Sequence, residues 1–229
     1  MPRFFAEIQD QDHAVITGND ARHIQGPLRK KIGDELFIRD HTTGYRARIS
    51  SIASQQIGLE IMSSQELSER GTMRVHLGMS LIDLKEMDVL IRMVTELGVA
   101  DIYPLVAERS NIRTVSDTRY DRWHTIIKEA VKQCERRSIP HICEPMPLTQ
   151  WIHAVANAWG CRLVASLDAG HGLSGCNAHD AGILIGPEGG FSSSEMDEIR
   201  SCGFTPVSMG KTVMRSLTAA ITAVGILGM

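Results

Sequence analysis

No run of about 18 apolar residues occurs in the 229-residue sequence, so no segment reads as a membrane-spanning helix. The first residues, Met1-Pro-Arg-Phe-Phe-Ala-Glu-Ile8, lack the long apolar core of a signal peptide, and a cytoplasmic protein is expected. Cysteine is scarce. Cys134, Cys143, Cys161, Cys176 and Cys202 contain no C-x-x-C pair and are odd in number, which predicts free thiols and supports neither a disulfide frame nor a zinc knuckle. The nine histidines fall without ligand spacing on any one element, so no metal is expected. An excess of one charge is missing too. With 24 Lys and Arg against 27 Asp and Glu, the formal charge of −3 argues against a wholly basic nucleic-acid binder and leaves only local patches to meet phosphate. Repeats and low-complexity segments are absent. What remains, 43% hydrophobic and 22% charged, is an ordinary globular composition, long enough for a small domain plus a medium one.

Residues 1 to about 62 are β-rich in pattern. Strands are predicted at Arg3–Ile8, His13–Thr17, Glu35–Arg39, Tyr45–Ile49 and Ile57–Met62, punctuated by Gly18-Asn19-Asp20, Gly33-Asp34 and Thr43-Gly44. One short helix is expected from Asp20 to Leu28. So many short strands suggest a small barrel. Its basic residues are Arg22, His23, Arg29, Lys30, Lys31, Arg46 and Arg48, but eight Lys and Arg are matched by eight Asp and Glu as far as Met62. A basic face there must come from placement. The polar, aperiodic Ser63–Gly71 reads as the linker.

Beyond it, strand and helix alternate. Met73–Leu81 alternates as a strand, and Asp83–Leu97 carries Leu84, Met87, Leu90, Ile91, Val94 and Leu97 on one helical face, with Asp83 and Glu86 as N-terminal caps and Gly98 as stop. Val99–Val106 is a strand. Tyr120–Arg137 is a second amphipathic helix, with Trp123, Ile126, Ile127, Ala130, Val131 and Cys134 inward and Arg122, Lys128, Lys132, Arg136 and Arg137 outward. From Arg109 to Arg137 eight basic residues face four acidic ones, the strongest phosphate-contact candidate in the chain. A solvated helix face is the plainer alternative. Thr149–Trp159 gives a third helix, Cys161–Leu167 a strand, Thr205–Met209 a last short strand, and Lys211–Leu227 a loop turning into an apolar helix. This alternation indicates an α/β unit with a mostly parallel sheet covered on both faces.

The most informative stretch is Ala181–Phe191. Ile183-Leu-Ile185 is a doubly buried strand, and Gly186-Pro-Glu-Gly-Gly190 breaks it with three glycines that permit a close backbone approach. Ser192 and Glu195 then form a capping box opening a helix. Strand, bare loop and capped helix are how α/β proteins build a ligand site at the carboxyl end of a strand. The loops after Leu167, Ile185 and Met209 are expected to converge. Gly170-His-Gly-Leu-Ser-Gly175 imitates a dinucleotide fingerprint, but the next strand begins near Ala181 and leaves no room for a crossover helix. The Gly186 loop also lacks the Lys-Ser/Thr of a P-loop.

Leu184-Ile-Gly-Pro-Glu-Gly-Gly-Phe191, Gly203-Phe204, Met209-Gly-Lys211 and Met214-Arg-Ser-Leu-Thr-Ala-Ala220 together resemble the signature of the RsmE family, SPOUT-class methyltransferases of uridine N3 in 16S ribosomal RNA. Arg3-Phe-Phe5 and Lys31-Ile-Gly-Asp-Glu-Leu36 resemble that family's N-terminal PUA-like β-barrel, and Lys85–Asp88, Thr95–Val99, Glu108-Arg-Ser110 and Glu129–Gln133 its middle. The resemblance implies a PUA-like RNA-binding barrel over residues 1–70 and a SPOUT α/β domain with a C-terminal trefoil knot over 71–229. It also implies S-adenosyl-L-methionine as cofactor, a homodimer, and 16S rRNA within the small ribosomal subunit as partner.

By that resemblance, backbone groups of Gly186, Gly190, Met209 and Met214 would bond the cofactor, Leu167, Ile185, Pro187 and Ala219 would line an adenine slot, and Gly189, Gly210, Arg215 and Thr218 would complete the set. Losing the N3 proton leaves charge on the uracil carbonyl oxygens, and Arg215 is the candidate to stabilise it, with a salt bridge as the plainer alternative. Glu188 would act as base, position a donor, or only brace the loop. Arg22, Arg29, Lys30, Lys31, Arg109, Arg136 and Arg137 would grip RNA. Two departures stand out. Leu217 lies where the family usually has Glu, leaving Ser216 to cap the final helix, and Gln133-Cys-Glu-Arg-Arg137 lacks the family's usual Gly before Arg. Leu217 leaves two alternatives open, a shifted RNA target or an RNA-binding module without transfer.

Overall fold

The computed structural model describes residues 3–40, 43–66, 73–134, 136, 138–155, 157–173 and 178–228. Two compact units emerge, Met1–Glu69 with Lys132–Ser138, and Arg70–Val131 with Ile139–Met229.

The first unit contains β1 (Arg3–Phe5), β2 (Glu7–Ile8), β3 (His13–Thr17), α1 (Gly18–Gln25), β4 (Glu35–Arg39), β5 (Thr43–Ala53) and β6 (Gln56–Glu66). They form one sheet in the order β1-β4-β5-β6-β3-β2. The edge strands β1 and β2 are separated by Ala6 alone, whose N–H donates to the Arg39 carbonyl at 3.0 Å, so the sheet nearly closes on itself. That arrangement is consistent with a barrel. Alternating residues supply its core, including Phe4, Ile16, Leu36, Ile38, Ile49, Ile57 and Leu59, with Ala21 and Ile24 of α1 packed among them. Strand β6 corrects the linker expectation. Ser63–Glu66 pair with Thr43–Arg46 of β5, because the tight hairpin at Ser54-Gln55 carries the ladder on into polar residues, of which Ser63, Ser64 and Gln65 are exposed. The rest of the expected linker, residues 67–71, lies outside the described residues. Arg46 and Arg48 are not free basic groups, since both approach Glu35, at 2.8 and 3.8 Å. The Lys132–Ser138 segment is bound through Lys132 to Asp20 (2.6 Å) and through the Arg136 carbonyl to the buried Arg39 guanidinium. Both cations also lie over the Phe5 ring.

The second unit contains β7 (Arg74–Ser80), α2 (Leu84–Glu96), β8 (Asp101–Val106), α3 (Asp117–Gln133), β9 (His141–Ile142), β10 (Met146–Pro147), α4 (Leu148–Val155), β11 (Cys161–Ala165), β12 (Asp180–Ile185), α5 (Ser193–Ser201), β13 (Thr205–Val207) and α6 (Ser216–Leu227). The sheet order is β10-β8-β7-β12-β11-β13, with β9 also on β8, and every pairing is parallel. Sequence periodicity locates every helix, with shifted ends. The Tyr120–Arg137 expectation becomes Asp117–Gln133, and the Thr149–Trp159 helix stops at Val155. Strands β9 and β10, two residues each, are too short to carry a pattern. Asp88, buried on α2, accepts from the Arg119, Arg122 and Trp123 side chains of α3. Arg122 and Lys132, expected among the outward cations, are thus held by carboxylates.

Two glycines on the central strands make room for tryptophan rings. A Cβ on Gly78 would sit 2.5 Å from the Trp151 ring, and one on Gly182 only 2.2 Å from the Trp159 ring. Trp159 in turn stacks on His76 at 4.7 Å. His76 is buried on β7 and its two ring nitrogens meet Asp101 of β8 at 2.6 Å and Asp180 of β12 at 3.1 Å. One side chain therefore bridges the beginnings of three adjacent strands.

Cys143 and Cys202 are free thiols, but Cys161 is disulfide-bonded, which corrects the expectation of free thiols throughout. Spacing along the chain carries no trace of a bond whose ends the fold brings together. Cys176, like Ser174 and Gly175 of the glycine-rich decoy, lies outside the described residues. No helix among the described residues is long and apolar enough to cross a membrane.

A methyl group on Gly182 has nowhere to go. Gly182→Ala is expected to lower the unfolding free energy by about 1–3 kcal/mol, an overpacking cost, in urea denaturation. An unchanged midpoint would show that Trp159 yields.

Candidate active site

Three parallel strands end side by side at the carboxyl edge of the second sheet, and their loops enclose a cavity of about 710 Å³. That size suits a small organic ligand. The lining is the end of β11 with the loop after it (165–168), the end of β12 with the loop after it (185–191), and 208–216 after β13, with Arg109 entering from the loop after β8. The convergence expected from sequence is observed.

The loop after β12 shows why its residues are small. A Cβ on Gly186 would stand 3.1 Å from the Phe191 ring, and Gly190 has φ +66°, a conformation that side chains resist. A Gly190 N–H to Pro187 carbonyl bond of 2.9 Å closes the turn. Helix α5 then opens with the expected capping box. Ser192 accepts from the Glu195 N–H, and Glu195 Oε2 accepts from the Ser192 N–H at 2.9 Å. The other oxygen, Oε1, accepts from the Glu108 N–H at 2.7 Å, so one buried carboxylate joins the loop after β12 to the loop after β8. Beside it, Arg109 donates to the Gly189 carbonyl at 2.9 Å.

Of the residues named from sequence, Leu167, Ile185, Gly186, Pro187, Glu188, Gly189, Gly190, Met209, Gly210, Met214, Arg215 and Ala219 all line the cavity. Leu167 stands at its rim, 75% exposed. Thr218 is exposed and does not line it. Arg215 is the N-cap of α6 and, like Glu188, is exposed, its side chain making no hydrogen bond or ion pair among the described residues. The salt-bridge alternative for Arg215 and the bracing alternative for Glu188 therefore find no partner there. Ser216 does not cap α6. It is the helix's first residue, and no side chain caps that end. Leu217 is half-buried and outside the lining.

The RNA-contact candidates separate. Arg109 belongs to the cavity. Arg22, Arg29 and Lys31 are exposed on the first unit, where Arg29 adopts φ +49°, while Lys30 is half-buried and reaches the Glu35 carbonyl at 3.5 Å. Arg136 is half-buried, its carbonyl taken by Arg39, and Arg137 lies outside the described residues. Sequence reasoning missed Phe191 and Met196 as apolar walls, and Asp168 and Lys211 as charged ones. Phe191 ends the glycine motif and Asp168 directly follows a predicted strand loop, so both were within reach. Met196, one helical turn into α5, had no signal of its own. Among the described residues no cluster of His, Cys, Asp or Glu could hold a metal ion.

A family model described as an RNA methyltransferase domain matches residues 69–228. A ribosomal RNA small subunit methyltransferase E from Aquifex aeolicus is 29% identical over 98% of this chain and 97% of its own. One of the same name from Synechocystis is 29% identical over 91% of this chain and 70% of its own. Among solved structures, a Legionella pneumophila protein in complex with the bound cofactor SAM superposes with a TM-score of 0.81 at 27% identity, covering 99% of this chain and 96% of that one. A ribosomal RNA small subunit methyltransferase E from Neisseria gonorrhoeae shares the fold, with a TM-score of 0.81 at 24% identity over 98% of this chain and 95% of that one.

Since the Ser192 side chain caps α5 beside the cavity, Ser192→Ala is expected to cost about 1 kcal/mol in chemical denaturation, and Ser192→Asp to recover most of it. Equal stability of all three proteins would remove the cap from the account of this loop.

Proposed function

The chain belongs to the RNA methyltransferase family, and from that membership we propose that it uses S-adenosyl-L-methionine to methylate N3 of a uridine in small-subunit (16S) ribosomal RNA. The observation that carries this reading is the cavity built by the Gly186–Gly190 loop, with bare backbone on one side and Ile185, Pro187, Phe191, Met196 and Ala219 as apolar walls. An adenosyl group needs that combination, a flat apolar slot edged by N–H and C=O groups. The bound cofactor supplies a methyl made electrophilic by its sulfonium, and transfer breaks the methyl–sulfur bond, leaves its electron pair on sulfur and joins the methyl to N3. The protein must align N3 with that methyl, remove the N3 proton and stabilise the uracil charge. Glu188, unpartnered at the cavity, takes the proton. Arg215, also unpartnered, stabilises the charge.

The same reading assigns residues 71–229 to a SPOUT domain whose last three loops form a trefoil knot, and residues 1–70 to a PUA-like barrel that grips RNA. The convergence of the loops after β11, β12 and β13 supports the first assignment. The nearly closed sheet with Arg22, Arg29 and Lys31 exposed supports the second. A homodimer is part of the proposal. Val89, Met93 and Leu97 along α2 and Ile226 on the adjoining α6 leave apolar side chains about 40% exposed, a surface that a second copy would cover. The rRNA substrate places the protein in the cytoplasm. Because Leu217 stands outside the cavity lining, its departure from the family does not favour a shifted target.

The direct test is transfer of labelled methyl to small ribosomal subunits lacking their N3-methyluridine, followed by mapping of the base. Label on one uridine N3 is expected, faster on assembled subunits than on naked rRNA because the chain's net charge is weak. No label would refute the reading. Gly190→Val, strained at φ +66°, is expected to abolish cofactor binding in calorimetry, and unchanged binding would move the pocket elsewhere. Met93→Glu is expected to convert the dimer to a monomer in sedimentation analysis.

A further inference from the structure

Sequence placed Arg109 among residues that hold RNA phosphates, yet its surroundings are not those of a phosphate grip. Its aliphatic stem lies over Gly189, where a Cβ would meet Arg109 carbons at 3.5 and 3.6 Å, and one N–H is fixed on the Gly189 carbonyl at 2.9 Å. The remaining donors of the guanidinium fork have no partner among the described residues, and the side chain lines the cavity. We propose that Arg109 is a catalytic residue that contacts the target uracil and stabilises the charge on a carbonyl oxygen, with Glu195 as the residue that positions it. This inference rests on the proposed uridine N3 methylation.

The chemistry asks for two such groups. N3 of uracil is flanked by two carbonyls, so the charge left by its proton spreads over both oxygens. Two arginines line the cavity, Arg215 at the start of α6 and Arg109 after β8. One guanidinium can serve each oxygen. The proton passes to Glu188, and the methyl arrives at N3 as its bond to sulfur breaks, so no further reactant is needed.

The support behind Arg109 is that of a group whose position matters. Its loop is closed by the Ser110 hydroxyl accepting from the Ala107 N–H at 3.1 Å and by the Ser110 N–H donating to the Ala107 carbonyl at 3.1 Å. Arg113 donates to the Glu108 carbonyl at 2.6 Å. The buried Glu195 carboxylate takes the Glu108 N–H on one oxygen and the Ser192 N–H on the other, which locks the arginine's loop to the glycine loop. A cation that only meets phosphate works from a flexible tether. Stabilising a developing charge requires donors already in place.

Arg109→Lys separates the two roles, because lysine keeps the charge but cannot hold the Gly189 carbonyl and reach the base with the same fork. The measurements are kcat and KM for small subunits, the pH dependence of kcat, and cofactor affinity by calorimetry, on the full-length wild type and on Arg109→Lys, Arg109→Ala and Glu195→Gln. Arg109→Lys is expected to lower kcat about 100-fold, the usual effect of losing one such donor, with KM for the subunit changed less than about 3-fold and cofactor binding retained. Without the guanidinium the uracil anion is less favoured, so the rise of kcat with pH should move to higher pH. Glutamine cannot accept from both N–H groups, so Glu195→Gln should lower kcat by a smaller factor and move the profile the same way. A purely structural defect would not shift that profile. Arg109→Lys with near-normal kcat, or arginine variants that change only KM, would return Arg109 to phosphate binding and overturn the proposal. Loss of cofactor binding in Arg109→Lys would overturn it as well, making Arg109 a wall of the cofactor site. A wild type that binds cofactor but methylates nothing would refute the activity itself, and the proposal with it.

Discussion

Strand β12 pairs with β7 along its whole length and with β11 over Ala181–Leu184, and five of its six residues are buried. A parallel strand so enclosed has nowhere to present chemistry except its carboxyl end. The Gly186–Gly190 loop stands there, and the neighbouring strands end at the same edge. The amino edge is closed in the opposite sense, with His76 bridging Asp101 and Asp180 beneath the Trp159 ring. Gly182 and Gly78 admit the two tryptophans that cover the sheet, so the central strands are held by packing that tolerates no added carbon. The cavity inherits its rigidity from that core.

At the cavity, backbone amides are matched with few side chains. Glu195 illustrates how far one group can reach. Burying a carboxylate is unfavourable unless its oxygens are satisfied, and here each accepts from a backbone N–H of a different loop. Among the described residues, the exposed side chains of Glu188, Arg215, Asp168 and Lys211 and most of the Arg109 fork line the cavity without partners. Polar groups that shape the site are satisfied internally, and those assigned to chemistry are free to meet a ligand.

Much of this was legible because the signals were local. The doubly buried Ile183–Ile185, the three glycines that follow and the Ser192–Glu195 box each specify their own conformation, and the structure reproduces all three. The helical faces of α2 and α3 were equally plain, since apolar periodicity needs no knowledge of the partner. What failed depended on distant residues. The Ser63–Glu66 stretch looks like a linker until β5 is laid beside it, and Arg122 looks like a solvated cation until Asp88 of α2 approaches. The second bond of Glu195 crosses 87 positions of sequence, so Arg109 could not be placed at the cavity from its own neighbourhood. The disulfide at Cys161 was hidden for the same reason.

The central pairing also has a consequence for how the protein is made. His76 on β7 and Asp180 at the start of β12 are 104 positions apart, so β7 gains its second neighbour only when most of the chain has left the ribosome. The first unit is not contiguous either, because Lys132–Ser138 belongs to it. During synthesis, then, a row of apolar side chains on β7 waits beside β8 with one edge open. Closing so long a loop is slow, and an open apolar edge invites pairing with another chain. The architecture that holds a rigid site in the finished protein leaves its nascent form dependent on protection until β12 emerges.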